Sequence, residues 1–335
     1  MNGPHGDVAV VVVTYDSAAD LPTCLEHVMR LEPPVREVVV VDSASTDDSV
    51  AVARSFRDRL PLEVLALAQN RGFAAGMNSG IEATRSPWIL SLNADAWPEP
   101  DYARRLVTRA EAHPELRAGA VTGRLVRTEG DLLDACGMRL TRTWRHLDRG
   151  SGEVDRGQYA EPERVFGATG AASLFRRQAL LDGAVDGEVF DPRFHSFRED
   201  AELAFRLRER GWEILYEPVA VCRHRRFNLP RKRRQMPPAV NYHSLKNRYL
   251  LRAYHQTGRN FLRTFFPTLF RDLLALGWVL LAERSSLAAY GWLWRHRRDI
   301  RNRRRTIQSR RTVPAREVDQ WFGVDHRKLM TRRET

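Results

Sequence analysis

The sequence predicts an α/β protein: a mostly parallel central sheet flanked by helices, followed by a basic, α-helical C-terminal extension. Three observations carry this. Strand-like and helix-like segments alternate from Val8 to Asn93, as they do where helices connect the strands of a parallel sheet. The strands are continuous apolar runs rather than alternating ones, as expected of strands buried on both faces. Composition then shifts after Phe227, where a Pro-rich basic stretch precedes a segment dense in Leu, Phe, Trp and Arg. The expected division is therefore one domain over residues 1–227 and a helical, basic region over residues 228–335. With 335 residues, 43% of them hydrophobic, the chain can bury a substantial core.

Each element has its own signal. "VAVVVVTY" from Val8 is the first strand, and Leu21, Leu25 and Val28 follow at helical spacing. "EVVVVD", Glu37 to Asp42, is the second strand. Ser45-Thr46-Asp47-Asp48 then starts a helix whose apolar stripe is Val50, Ala53 and Phe56. "LEVLAL" from Leu62 and "WILSLN" from Trp88 are the third and fourth strands, with a helix over Phe73 to Thr84 entered through Gly72. Gly119 to Phe166 is rich in Gly, Arg and Asp, and its weak periodicity predicts hairpins and loops over a site. Glu199 to Arg210 reads as a helix, with Leu203 and Leu207 on one face and Gly211 as its C-terminal stop.

"NLPRKRRQMPP" looks like a linker. Beyond it, Phe261 to Trp294 is apolar but interrupted by Arg263, Arg271, Asp272, Glu283 and Arg284. Its longest uncharged stretch, "LLALGWVLLA" from Leu273, is shorter than the roughly 20 residues of a spanning helix. Helices lying on an anionic membrane surface, or packing against a second copy of the chain, are expected instead. The arginine run from Arg295 to Arg311 raises the alternative of a nucleic-acid- or membrane-binding interaction protein. Trp278, Leu280, Trp292 and Trp294 beside it favour a membrane interface and no nucleic acid.

Lys and Arg number 54 against 42 Asp and Glu, a net charge of +12, which favours anionic partners. Cys24, Cys136 and Cys222 are scattered without CxxC spacing, which argues against a disulfide framework or zinc site and suits a reducing cytoplasm. The N-terminal apolar run is too short for a signal core, so the protein is expected inside the cell.

In an open parallel sheet, ligands bind beyond the carboxyl ends of the strands. Thr14, Tyr15 and Asp42 fall on those ends, as do Asn93 and Asp95 of "LNADAWP". Singly, Asp42 suits a capping turn and Asp95 a turn before Pro98. Together, in so basic a protein, they suit a cation: Mg²⁺ or Mn²⁺ takes one or two protein carboxylates and completes its shell with phosphate oxygens and water. "QNRGFAAGMNSG", with Asn70, Gly72, Phe73 and Asn78, opens a helix whose N–H groups could meet a diphosphate. Its spacing is neither a dinucleotide fingerprint nor a P-loop. "FREDAEL" places Glu199 and Asp200 at a helix start. Most acids there only complement the helix dipole, but a buried one with a like-charged neighbour can act as a general base.

Four stretches, "VVVVTYDSAADLPTCLEHV", "EVVVVDSASTDDSV", "NRGFAAGMNSGIEATRSPWILSLNADAWPEP" and "FREDAELAFRLRERGWEILYEPVAVCRH", resemble in content and order the family 2 glycosyltransferases. They are most similar to bacterial rhamnosyltransferases of cell-surface polysaccharide synthesis. The resemblance runs from Val8 to His224. It implies a GT-A fold and an inverting, metal-dependent transfer from a nucleotide-diphosphate sugar, dTDP-rhamnose first and a UDP-sugar second, to a glycan or polyprenyl-linked acceptor. It further implies that Thr14, Tyr15 and Asp42 hold the nucleotide, and that Asn70, Gly72, Phe73, Asn78 and Asn93 belong to the donor site. Asp95 corresponds to the metal ligand, His224 to a further ligand in some members, and Asp200 to the base, with Glu199 orienting the acceptor. Asn93 stands where the family's motif usually has its first acid. "HSLKNRYLL", His243 to Leu251, resembles a segment that follows the catalytic region, with Arg248 as a diphosphate contact.

Overall fold

Four parallel strands form the heart of the sheet: β1 (Val8–Thr14), β2 (Glu37–Asp42), β3 (Leu62–Ala66) and β4 (Trp88–Asn93). The computed structural model describes residues 7–226 and 236–323. Helices α1 (Leu21–Met29), α2 (Ser49–Arg54) and α3 (Gly72–Ala83) make the crossovers. Then come β5 (Ala96–Pro98), α4 (Tyr102–Glu111), β6 (Ala118–Arg127), β7 (Leu133–Ala135), the hairpin β8 (Met138–Leu140) and β9 (His146–Asp148), and β10 (Glu163–Arg164). β11 (Ala172–Arg176), α5 (Arg177–Gly183), α6 (Glu199–Glu209) and β12 (Glu213–His224) complete the sheet region. The main sheet runs β10-β12-β6-β11-β4-β1-β2-β3. It is parallel except where β11 and β10 pair antiparallel to their neighbours.

Period-two alternation divides β1 between two cores. Val8, Val10 and Val12 face α1 and α4, and Val11 faces α3. On α3, glycines allow this approach: a Cβ at Gly76 would stand 2.8 Å from Val13 Cγ1, and one at Gly80 would overlap Val11. The expected α/β architecture is present, with one correction. Ala118–Arg127, read from sequence as part of a loop region, is the long strand β6 beside β12 and β11. Its signal is weak because its glycines make room for large neighbours. A Cβ at Gly119 would lie 2.9 Å from Trp212 Cβ, and one at Gly123 would meet the Tyr102 ring.

The chain beyond residue 236 is helical: α7 (Pro238–His255), α8 (Gly258–Ala282), α9 (Ala288–Arg295), α10 (Arg297–Ser309) and α11 (Ala315–Asp319). Leu250, Leu251, Tyr254, Ile300, Ile307, Trp321 and Phe322 join the same core as α3 and α6. The boundary expected at residues 227 and 228, and most of the expected linker, lie outside the described residues.

Two expectations for this region change. The apolar stretch is interrupted in sequence but continuous in structure: α8 has 25 residues, long and apolar enough by length and composition to cross a membrane. Only 11% of its most apolar window is buried, so Phe266, Phe270, Leu273, Leu274 and Leu281 lie exposed along it. The arginine run, in turn, is divided: Arg295, Arg298, Arg301 and Arg305 are exposed, while others turn inward. Arg303 is buried against Asp191, Asp186 and Glu188, and Arg304 donates to the carbonyls of Ala253, Tyr254 and Gln256. Arg311 pairs with Glu209.

Candidate active site

The parallel register sets the first part of the site. Thr14 lies opposite Asp42, and Val13 opposite Asn93, so three strands end at one level. Beyond those ends opens a cleft of about 1170 Å³. Thr14, Tyr15, Asn70, Gly72, Phe73, Asn93, Asp95, Glu199, Asp200 and His224 all line it. Tyr15 is exposed there, while Thr14 and Ser43 each carry a buried hydroxyl without a partner.

Asp42 and Asn78 are placed elsewhere. Asp42 is buried and accepts hydrogen bonds from the Ser45 N–H at 2.9 Å and the Ser45 hydroxyl, so its carboxylate closes the turn after β2. The Asn78 side chain clamps Phe190, donating to its carbonyl and accepting from its N–H, both at 2.8 Å. The start of α3 is also committed internally. The Gly72 N–H donates to Asn70 Oδ1 at 2.9 Å, Phe73 to Ser196 Oγ at 3.4 Å, and Ala74 to the His195 carbonyl at 3.1 Å. The last two hold the loop before α6, the first closes the turn before α3, and none of the three is presented to an anion. Gly72 itself is required by its φ of +79° and by His195, which stands against the place a Cβ would take.

β5 pairs antiparallel with the end of β12, His224 opposite Ala96. This brings His224 Nε2 to 3.2 Å from Asp95 Oδ1. The other ring nitrogen, Nδ1, lies 2.7 Å from Asp134 Oδ2, and Arg226 pairs with the second Asp134 oxygen at 3.0 Å. Burial disfavours charge on His224, but its bonds to Asp134 and Asp95 outweigh this and raise its pKa to about 9. Asp134 is held below the usual carboxylate range: burial acts to raise it, and the His224 bond and Arg226 charge win.

The donor set fits a divalent cation. His224 Nε2 faces Asp95, and a cation entering between them would displace the proton they share; the Nδ1 hydrogen bond to Asp134 then fixes the tautomer in which Nε2 is the ligand, the usual outer support of a metal-bound His. Asp95 supplies the hard oxygen. Among the described residues no group of three or more His, Cys, Asp or Glu could hold a metal by itself, so such an ion would draw further ligands from a bound donor and water.

On the opposite wall, the chain before α6 takes left-handed conformations at His195, Phe197 and Arg198, which are uncommon outside glycine. Asn247 of α7, fully buried, holds it in place: Nδ2 donates to the carbonyls of Phe194, Ser196 and Phe197 at 2.7, 2.9 and 2.7 Å. The loop delivers Asp200 with Oδ1 accepting from its neighbour Ala201 N–H at 2.7 Å and Oδ2 from Gly170 N–H at 3.2 Å. Burial, then the charge of Asp148, pushes the Asp200 carboxyl up to about 6. Glu199 is more strongly raised by burial and by Asp200, and its Oε2 is buried without a partner. Of the two carboxyls, burial and the neighbouring charge hold Glu199 toward its protonated form more strongly than Asp200.

The model of the family described as Glycosyl transferase family 2 matches residues 9–183, more than half of the 335. The chain belongs to that family. A relative from Staphylococcus aureus, poly-beta-1,6-N-acetyl-D-glucosamine synthase, is 24% identical over 217 residues, 64% of this chain and 49% of that one. The chain thus spans about half the length of such curated relatives. Among solved structures, S. aureus TarS aligns with a TM-score of 0.54 at 15% identity, covering 90% of this chain and 55% of that one. The mannosyltransferase PcManGT from Pyrobaculum calidifontis, solved with GDP-Man and Mn²⁺, aligns at 0.52 and 18% identity, covering 93% and 84%. The fold is that of the GT-A glycosyltransferases.

Within this family 2 site, sequence reasoning missed Asp134, Asp148 and Asn247. Asp134 and Asp148 sit in short strands with no periodic signal. "LKNR" carried the signal for Asn247, but attention fell on Arg248, which pairs with Asp272 at 2.7 Å and does not line the cleft.

Proposed function

We propose that the chain is an inverting glycosyltransferase that moves a sugar from a nucleoside-diphosphate donor to a hydroxyl of a glycan or lipid-linked glycan, in the synthesis of cell-surface polysaccharide. The observation that carries this reading is the placement of Asp200, a raised carboxylate, in the same cleft as the Asp95–His224 pair. A base and a cation-binding pair in one cleft is what a displacement at an anomeric carbon needs. The relatives support it: one is a polysaccharide synthase, and one solved neighbour holds a nucleotide sugar with Mn²⁺.

The acceptor hydroxyl attacks the anomeric carbon from the Asp200 side, and Asp200 takes its proton as the new C–O bond forms. The bond from that carbon to the diphosphate oxygen breaks, the configuration inverts, and the nucleoside diphosphate leaves. Gly170 and Ala201 hold both Asp200 oxygens, so the base is oriented before the acceptor arrives. Glu199, pushed toward its protonated form by burial and Asp200 and with Oε2 lacking a partner, is placed to hydrogen-bond an acceptor oxygen. A Mg²⁺ or Mn²⁺ ion held by Asp95 and His224 would supply positive charge for the departing diphosphate.

Tyr15, Asn70, Phe73 and Asn93 are assigned to the donor side of the cleft. The resemblance favours dTDP-rhamnose as donor, with UDP-sugars next. The exposed apolar face of α8 supports attachment to the cytoplasmic face of a membrane. Release of nucleoside diphosphate from a panel of dTDP- and UDP-sugars, with Mn²⁺ and a lipid-linked glycan acceptor, tests the proposal. Turnover that Asp200→Asn removes while donor binding persists supports it; release unaffected by Asp200→Asn contradicts it.

A further inference from the structure

Beside the cleft lies a second cavity of about 240 Å³ with walls of two kinds. One is cationic: Arg145 from the β8–β9 hairpin, Arg198 just before α6, Arg248 from α7 and Arg271 from α8. The other is apolar and comes largely from α8, through Leu274, Ala275, Trp278 and Val279. Arg145, Arg198, Ser244 and Arg271 line both this cavity and the cleft, so the two spaces adjoin along a shared wall.

Bringing four guanidinium groups together is unfavourable without an anion among them. The mutual repulsion is felt: burial and then the charges of Arg248 and Arg145 pull Arg198 down to about 9, and burial and then Arg248 lower Arg145 as well. At Arg198 the charge of Asp200 opposes this fall without cancelling it. Among the described residues no Asp or Glu lines the cavity itself. Asp272 pairs with Arg248 but is shared with Arg252 at 2.5 Å. Arg248 is only 7% exposed, and its Nε is buried without a hydrogen-bond partner. Next to this cationic wall, the apolar wall is continuous with the exposed face of α8 at Phe270, Leu273 and Leu274.

We infer that this cavity binds the phosphate groups of a lipid-linked diphosphate, the hydrocarbon chain leaving along α8. The inference rests on the transferase reading, because it makes the cavity the anchor of the acceptor. Arg198 immediately precedes Glu199 and Asp200, so phosphates held here would place the sugar attached to them toward the base. An anion alone would not need the Leu274–Trp278 wall, and a hydrocarbon alone would not need four arginines.

The test is isothermal titration of the full chain with farnesyl diphosphate, inorganic pyrophosphate and farnesol, each with Mn²⁺, UDP and dTDP in excess to fill the donor side. Farnesyl diphosphate is expected to bind at least tenfold more tightly than pyrophosphate, and farnesol not at all. Arg145→Gln should weaken both phosphorylated probes about tenfold, whereas Leu274→Gln should weaken farnesyl diphosphate alone; tenfold corresponds to about 1.4 kcal/mol. Both side chains are partly exposed, and unchanged thermal melting establishes that the variants fold. Displacement of farnesyl diphosphate by the nucleotides, equal affinity for pyrophosphate, or indifference to both variants overturns the inference. If neither nucleotide binds while both variants still weaken farnesyl diphosphate, this site stands and the donor reading falls.

Discussion

His224 Nε2 lies 3.2 Å from Asp95 Oδ1, joining the end of β12 to the turn after β4. Asp134 at 2.7 Å from Nδ1 sets the orientation of the ring. If that outer carboxylate fixes the tautomer, Asp134→Asn should weaken Mn²⁺ binding by roughly 10–100-fold without touching a ligand. Titration of Mn²⁺ in the presence of nucleoside diphosphate measures this, and wild-type affinity in the variant would dismiss the role.

Asp200 and Glu199 should respond oppositely to neutral isosteres. Asp200→Asn removes the base and is expected to lower kcat by about 10²–10⁴-fold. Burial and Asp200 favour the protonated form of Glu199, which Gln mimics, so Glu199→Gln should stay within about tenfold of wild type.

The same shift fixes the pH profile. A base works only when deprotonated, and Asp200 is raised to about 6. At saturating Mn²⁺ the acid limb of kcat/KM in the wild type should therefore fall about tenfold per unit below pH 6. A profile still flat at pH 5 would mean that Asp200 is not the base.

Asn247 acts through the loop it holds. Asn247→Ala leaves three carbonyls without their donor, a loss of about 1–3 kcal/mol for a buried group. Asn247→Asp should be worse, since it sets a carboxylate against those carbonyls. Both should lower kcat more than donor affinity, because Asp200 is displaced while Thr14 and Asp95 stay in place. Equal losses in kcat and donor binding would indicate general unfolding instead.

Arg303 clasps the C-terminal helices to the sheet region through Asp191 at 3.0 Å, both side chains being almost completely buried. Arg303→Ala removes one cationic partner of Asp191, which keeps Arg193 and the Tyr254 hydroxyl, each at 3.0 Å, and should cost about 1.5–3 kcal/mol, read as a lower denaturant midpoint. A shift below about 1 kcal/mol, the range of exposed pairs, would contradict a buried clasp.

Much of this architecture is legible in the chain itself. Doubly buried strands write themselves as "VAVVVV" and "EVVVVD", and because parallel strands end in register, Thr14 and Asn93 could be placed together from sequence. Contacts made across the sheet were not legible. The Asp95–His224 pair, which only the family resemblance brings together in the sequence, depends on β5 meeting β12, and β6 is disguised by glycines that exist for Tyr102 and Trp212. Residues with a strong local reading proved to have a second partner: Gly76 and Gly80 serve Val13 and Val11, and the "NRG" helix start serves His195 and Ser196 rather than an anion. The arginine run reads as a surface charge patch throughout, but Arg303 and Arg311 have Asp191, Glu188 and Glu209 opposite them, while Arg295, Arg298, Arg301 and Arg305 stay exposed.

The central claim, a cation-assisted donor site at Asp95 and His224, is tested most directly by thermal unfolding with UDP or dTDP, with and without Mn²⁺, in wild type, Asp95→Ala and His224→Ala. At a nucleotide concentration one hundred times its Kd, the wild type should gain about 2.7 kcal/mol only when Mn²⁺ is present, and both variants should lose that gain. Nucleotide stabilisation that is equal without metal, or intact in Asp95→Ala, would contradict the account.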